Sequence, residues 1–432
     1  MSAGRHISAQ SEASRTPKPG ADPQRARVAT GVNRQPDWAC RVITDLAGWR
    51  ELESVWDQLL AASPDHTPWQ GFAFLTSWWK HLGGGMSLRV FVVERAGEPC
   101  LVLPMQISRL PGAPGLSQRV IEPVSMIADV NRPRLALGRF DQQAYHCAFD
   151  AIWQRQSEWH ALAIDEKPWE DQEIALLKAY AQRRGAVFRQ RFAHMVPYLN
   201  LRQSWPDFLN TKSQKFRKNL KTARKKLEQR GQVELRHYRG LEGVQEGFAA
   251  FLHIHERSWK KDKQIEQSKS PEYNAFFKEW LLDMATRDQA TVLVLHCGKD
   301  PVAATIALTE GDVYYSAQIV HDNRYAACSP GTLLESLELE HLMGEGRYAR
   351  YEFLGSFLNN KMRWAQEATS TALVEVIQPS LRALAIDAYD ATFEPYIRPQ
   401  VKAAFKKLSP AWQTRVRKVL KSTRRRKQRL SS

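Results

Sequence analysis

No run in this 432-residue chain approaches the roughly 18 consecutive apolar residues that a membrane-spanning helix needs, so no span is expected. The first residues lack the apolar core of a secretory signal, and the expected compartment is the cytoplasm. Cysteine is scarce. Five residues, at 40, 100, 147, 297 and 328, form no C-x-x-C pair, which argues for reduced thiols and against a structural zinc. Also missing are G-x-S-x-G, G-x-x-x-x-G-K, G-x-G-x-x-G and H-E-x-x-H, and with them the motif-based case for a serine hydrolase, a nucleotide-binding loop or a zinc peptidase. His253 and His255 fall on different faces of a helix with no third ligand at useful spacing, so no metal is expected.

What is present can build substantial cores. A hydrophobic share of 43% with fourteen tryptophans excludes a disordered chain, and the length predicts two or three domains. The net charge of +16 is unevenly placed. Residues 395–432 hold thirteen basic and no acidic side chains, and residues 1–36 hold six basic against two acidic. Within the body, 212–227 carries eight cations and no acid. The basic character is therefore local, which points to local anionic partners.

Residues 1–36, rich in Ser, Ala, Arg, Pro and Gly without periodicity, read as disordered. A first unit spans 37–203. It has a helix over 49–61, a hairpin of strands 88–94 and 99–108, helices over 144–153 and 171–184, and strands over 159–164, 187–192 and 197–200. A second unit, 204–394, repeats the order. A basic helix over 205–230 leads to a strand over 232–238 and helices over 241–260 and 271–287. A meander over 290–297, 302–309 and 313–320 follows, then a helix over 332–343 and strands over 348–354 and 371–377. The similar alphabets of the two units predict a duplicated α/β fold with mixed sheets flanked by helices, followed by a basic amphipathic tail over 395–432.

Two features carry chemistry. In Ser329-Pro330-Gly331-Thr332, Pro330 suits a first helical turn and the Thr332 hydroxyl can cap free amides. A helix start beside a glycine offers unpaired N–H groups and partial positive charge, which suits a pyrophosphate. An ordinary capped helix is the plainer alternative. In the basic helix, Phe216, Leu220, Ala223 and Leu227 face inward. Lys212, Lys215, Arg217, Lys218, Lys221, Arg224, Lys225 and Lys226 take the other faces with no acid expected four residues away. That arrangement repels itself unless a phosphate-bearing ligand, nucleic acid or acidic lipid lies near; a solvated face is the alternative. The tail, with Val401, Phe405, Leu408, Trp412, Val416 and Leu420 among Lys and Arg, suits an anionic headgroup surface or an RNA backbone, or merely solubilises.

The stretches KSQKFRKNLKTARKKLEQRG, HERSWK, DPVAATIAL, VYYSAQIVHDNRYAACSPGTLL and YEFLGSFLNNKMRWA stand in a telling order and spacing, with WDQLLAASPDHTPWQGFAFLTSWWKHLG earlier in the chain. Together they resemble the cellulose-biosynthesis-type (CelD/BcsL-like) acetyltransferases of the GNAT superfamily, akin to Fem-type peptidyltransferases. The resemblance covers roughly residues 38–390. It implies two tandem GNAT folds, with acyl-CoA (acetyl-CoA) as co-substrate held mainly by the second.

The donor's pantetheine is implied to pair with the edge 314–320, including Ile319 and Val320, and its pyrophosphate to lie on Arg324, Ser329, Gly331, Thr332 and Leu333. Lys361 is implied to face the reacting carbonyl or a phosphate. Tyr314 or Tyr315 is implied to protonate the leaving group, only one of them because strand neighbours face opposite ways. Asp322 and Glu256 are candidate bases, and Arg217, Trp259, Lys260 and Trp364 candidate acceptor contacts. The sequence departs from the family pattern at Glu352, where aspartate is frequent, near Ser356, and at Asn360, where an aromatic is frequent.

The expected function is N-acylation of a small-molecule or lipid-linked amine in cell-envelope or exopolysaccharide metabolism. A Fem-like transferase using aminoacyl-tRNA or an acyl carrier is the first alternative, its basic features gripping the tRNA or carrier. A non-catalytic scaffold, held peripherally at an anionic inner membrane through the tail, is the second.

Overall fold

A computed structural model describes residues 38–63, 65–110, 117–125, 134–263, 270–355 and 359–392. The expected disordered start and basic tail lie outside the described residues.

The strands are β1 (Trp38–Ile43), β2 (Ser87–Arg95), β3 (Glu98–Leu110), β4 (Gln118–Pro123), β5 (Leu137–Gly138), β6 (Ala161–Pro168), β7 (Val187–Asn200), β8 (Val233–Arg239), β9 (Ala290–Cys297), β10 (Asp300–Glu310), β11 (Val313–His321), β12 (Arg350–Glu352) and β13 (Glu367–Ile377). They form one mixed sheet in the order β1-β2-β3-β4-β6-β13-β7-β12-β11-β10-β9-β8, with β5 paired to β3.

The duplication is visible in the pairing. Inward from β1, three antiparallel contacts lead to β4, which pairs parallel with β6. Inward from β8, three antiparallel contacts lead to β11, which pairs parallel with β12. A crossover helix accompanies each parallel pair, as the geometry requires: Gln142–Gln154 in the first half and Pro330–Glu345 in the second. At the centre the halves exchange strands. β7, from the end of the first half, pairs with β12; β13, from the end of the second, pairs with β6; and the two pair with each other. The chain position 203/204 therefore does not cut the sheet.

The halves also share a core. The helix Phe72–Leu82 of the first packs on Pro271–Thr286 of the second, with Phe74 edge-on to Trp280 at 4.7 Å between ring centroids. Trp49, Trp56, Phe74 and Phe251 there are fully buried, each contributing roughly 1.5–3 kcal/mol. Gly247 lets the helix Gly240–His255 lie close on the sheet, because a Cβ there would meet Tyr238 and Val292 at 2.8 Å.

Four expected elements differ, among them the helix over 241–260, which is two, Gly240–His255 and Trp259–Asp262, because the Ser258 hydroxyl accepts from the Lys260 N–H at 3.2 Å and starts a new helix. The helix over 205–230 is two, Trp205–Asn210 and Gln214–Glu228, because the Ser213 hydroxyl accepts from the Phe216 N–H at 3.2 Å and starts a new helix. The helix over 49–61 is likewise two, Leu46–Arg50 and Glu53–Ala61. The strands over 187–192 and 197–200 are one, since the residues between them pair with β13. Among the described residues no helix is long and apolar enough to cross a membrane.

Candidate active site where β11 and β12 part

β12 pairs with β11 only as far as Tyr315, opposite Glu352. Beyond that point no described strand pairs with this edge of β11, so Ser316–His321 presents free backbone groups. A bulge against β10 between Ile306 and Ala307 falls at the same level. The chain then turns through Asn323–Cys328 to Ser329, whose φ of 52° is left-handed, and enters the crossover helix.

That helix start is bare. No side chain caps it, and the N–H groups of Gly331 and Thr332 take no partner among the described residues. The first half offers the contrast: Asp141 Oδ1 accepts from Gln143 N–H at 2.8 Å and Ala144 N–H at 3.3 Å, so its crossover helix is already neutralised. The cleft beneath that helix is also filled. Lys167 is wholly buried, bonded to Glu173 and to Asp171 at 3.0 Å, while Tyr145 donates to the second Glu173 oxygen.

Beside the bare start lies a basic corner. A Cβ on Gly331 would sit 3.7 Å from His321 Nδ1. Burial and then the neighbouring Lys260 charge hold the His321 imidazole below its ordinary value. The helix Gln214–Glu228 flanks this corner, with Lys226 Nζ on the Ala327 carbonyl at 3.3 Å and Arg230 Nη1 on the Arg324 carbonyl at 3.2 Å. Its other end reaches the Lys361 region, where Lys212 Nζ donates to the Trp364 carbonyl at 3.0 Å. Arg224 pairs with Glu228 at 3.0 Å, a partner four residues on that the sequence reading overlooked. Lys215, Lys218, Lys221 and Lys225 remain exposed with no acidic partner among the described residues.

The structure thus brings Ile319, Ser329, Gly331, Thr332 and Lys260 together around the end of β11 and the start of the crossover helix. Val320 and Leu333 lie on the same segments, but both are buried. Lys361, on Asn359–Met362, donates to the Leu354 carbonyl, and its charge acts on Glu335, one turn along the crossover helix from Gly331.

The remaining candidates are placed otherwise. Trp364, expected to touch the acceptor, has no exposed surface; its indole N–H donates to Glu335 Oε2 at 3.0 Å and its ring packs on Phe208 and Phe216. Arg217, half-buried, donates to the Leu209 carbonyl at 3.3 Å. Trp259 is 40% exposed, with Lys263 over its ring at 4.8 Å. Asp322 is buried under Arg324, whose Nη2 lies at 2.7 Å. Burial opposes ionisation there, yet the bonds from Arg324 bring the carboxyl below its ordinary value. Arg324, expected at the pyrophosphate, is thereby committed to Asp322. Glu256 is exposed and paired with Lys261.

The two tyrosines face opposite sides of β11. Tyr314 donates to Glu338 Oε1 at 2.7 Å, and Tyr351 to Oε2 at 3.1 Å. Tyr315 points toward the first half, edge-on to Trp69 at 5.2 Å, its phenol raised by burial and then by the Glu352 charge.

Sequence reasoning missed Glu335, Glu338 and His321. The signal was available for one of them: Leu334, Glu338 and Leu342 recur every four residues, placing Glu338 in the buried stripe.

Residues 214–364, which contain β11, the bare helix start, the basic helix and Lys361, match the family model described as an acetyltransferase (GNAT) domain. No curated protein matches the chain by sequence. Among solved structures it resembles FemX, at 12% identity and a TM-score of 0.51, over 75% of this chain and 96% of that one. It also resembles a tandem GNAT protein from the clavulanic acid biosynthesis pathway, at 14% identity and a TM-score of 0.43, over 79% and 99%. At such identity the likeness to FemX concerns the fold alone. Residues 214–364 carry a domain of the GNAT acetyltransferase type, set in a mixed α/β fold whose pairing pattern is duplicated.

Proposed function

We propose that the protein is an N-acyltransferase that moves an acyl group from acyl-CoA to an amine, in cell-envelope or exopolysaccharide metabolism. One observation carries this reading: a bare helix start stands beside an unpaired strand edge in the second half, while its counterpart in the first half is capped by Asp141. The free edge of β11 suits the amides of a pantetheine arm. The N–H groups of Gly331 and Thr332, with Lys260 and His321 nearby, suit a pyrophosphate. Lys361 supplies positive charge at the strand ends, where an oxyanion would form.

The test is release of free CoA thiol from acetyl-CoA and longer acyl-CoAs, offered with amino sugars, amino acids and polyamines. Amine-dependent release is expected; its absence with every pair counts against the reading.

A second reading has its own support. The lysine stripe 215, 218, 221 and 225 is uncompensated beside the same cleft, which favours a donor delivered on a polyanion, as aminoacyl-tRNA or an acidic acyl carrier. A tRNA complex whose affinity falls steeply with salt and with Lys221→Glu supports that version. Binding of CoA without tRNA removes it.

A further inference from the structure

Three large apolar side chains stand exposed on one face of the sheet in the first half. The helix Leu381–Thr392 lies on the face of β4, β6 and β13 opposite the one that Gln142–Gln154 covers, with Ala383 packed among Val120, Ala161 and Ile377. Its apolar residues point two ways. Ala383 and Ile386 are buried, whereas Leu381, Leu384 and Ala385, three and four residues apart, form a stripe that turns to solvent. Leu381 is 90% exposed and Leu384 37%. Leu110, 46% exposed, joins them from the end of β3. Ser108 pairs with Val120, and strand alternation turns Leu110 to the same side as both. Apolar side chains scattered singly need no explanation, but a stripe with a charged rim marks an interaction surface.

The rim is basic. Arg109 stands opposite Arg119 across the β3–β4 pair, and Arg382 lies between the two outward leucines of the helix. Burial and then the charges of Arg382 and Arg109 lower the Arg119 guanidinium from its ordinary value, so the three share one field. Arg119 Nη2 is held in place by the Ser157 carbonyl at 2.8 Å. The described acids nearby are engaged elsewhere: Glu158 with Arg89 at 2.7 Å, and Asp387 with Arg189 at 2.7 Å.

Charge decides what covers the stripe. Residues 395–432 follow this helix in sequence, but their thirteen basic and no acidic side chains are repelled by the arginines. A second copy would set arginines against arginines. A nucleic acid would meet the charge and leave the leucines in water. An anionic bilayer meets both, taking the leucines into its apolar boundary and its phosphates to the guanidiniums.

We propose that the face formed by Leu110, Leu381 and Leu384 with Arg109, Arg119 and Arg382 docks the folded chain on an anionic lipid bilayer. The basic tail adds attraction to the same surface, and the patch sets the orientation. Docking through this face stands whether or not acyl-CoA is the donor.

The experiment measures co-sedimentation of the full chain, at low salt, with mixed phosphatidylglycerol–phosphatidylcholine vesicles and with pure phosphatidylcholine vesicles. Binding to the mixed vesicles alone is expected; binding to both alike, or to neither, overturns the proposal. Leu381→Glu combined with Leu384→Glu should weaken binding about tenfold or more, and Arg382→Ala about fivefold, with the tail unchanged in both. Binding by the leucine variant within about twofold of the parent overturns the proposal and leaves attachment to the tail. Both leucines reach solvent, so the melting temperature should hold. If that variant does not fold, Leu381→Gln decides: a loss of about threefold supports the proposal, and no loss overturns it. A parent that is dimeric by light scattering and becomes monomeric in L381E/L384E also overturns it, assigning the stripe to a second copy.

Discussion

Asp141 and Ser329 hold the same place in the two halves, each preceding the crossover helix of a parallel strand pair, yet only Asp141 bonds the amides that follow it. The same fold has been finished differently twice. In the first half a carboxylate satisfies the helix start; in the second the start is left bare beside an open strand edge.

This difference predicts opposite responses. Asp141→Ala should cost about 0.5–2 kcal/mol of stability and leave acetyl-CoA binding unchanged. Thr332→Asp places a carboxylate in the first turn of the second helix, where it should add about 0.3–1 kcal/mol yet weaken acetyl-CoA binding at least tenfold. Paired thermal melts and titrations separate the two effects.

Burial pushes the Glu338 carboxyl from 4.5 up to about 8, against the bonds from Tyr314 and Tyr351. A folded value above the unfolded one means the neutral form is favoured in the fold. Its stabilising contribution is complete below about pH 4.5 and declines as pH rises toward 8. Glu338→Gln, which keeps a neutral side chain, should match the parent near pH 5 and exceed it at pH 9 by on the order of a few kcal/mol. Denaturant melts at the two pH values check this; an equal difference at both would refute it.

The exposed lysine stripe should be a cost to the free protein. Lys218 and Lys221 are three residues apart, and Lys221 and Lys225 four, so each pair repels by roughly 0.2–0.5 kcal/mol at low salt. Lys221→Glu should therefore raise the melting temperature slightly and reduce retention on heparin.

Leu354 and Gly355 adopt left-handed φ values of 51° and 66°, and the Leu354 carbonyl accepts from Lys361. A leucine in that conformation is strained and needs support. Lys361→Met should cost roughly 1.5–3 kcal/mol and lower kcat at least tenfold.

Much of the second half was legible in the sequence, because its meander is punctuated by Gly298-Lys299-Asp300 and Glu310-Gly311-Asp312 and its helices have clear apolar stripes. The first half was harder. β4 follows a Pro/Gly-rich stretch that reads as loop, and Trp38–Ile43 is an edge strand with few apolar neighbours in sequence. The exchange of β7 and β13 was invisible, since pairing partners so far apart leave no local pattern. At the site, the turn at Ser329 announced itself through proline and glycine. Glu352 stood out only as a departure from the family pattern, since a strand of three residues is too short for its period to show that it is covered on both faces.

The central claim is one donor site per chain, built on the bare helix start of the second half. Calorimetric titration of the full chain with acetyl-CoA tests it most directly. One molecule should bind per chain, with affinity lost in Thr332→Asp and kept in Asp141→Ala. No heat at millimolar ligand, or two sites indifferent to Thr332→Asp, would contradict it.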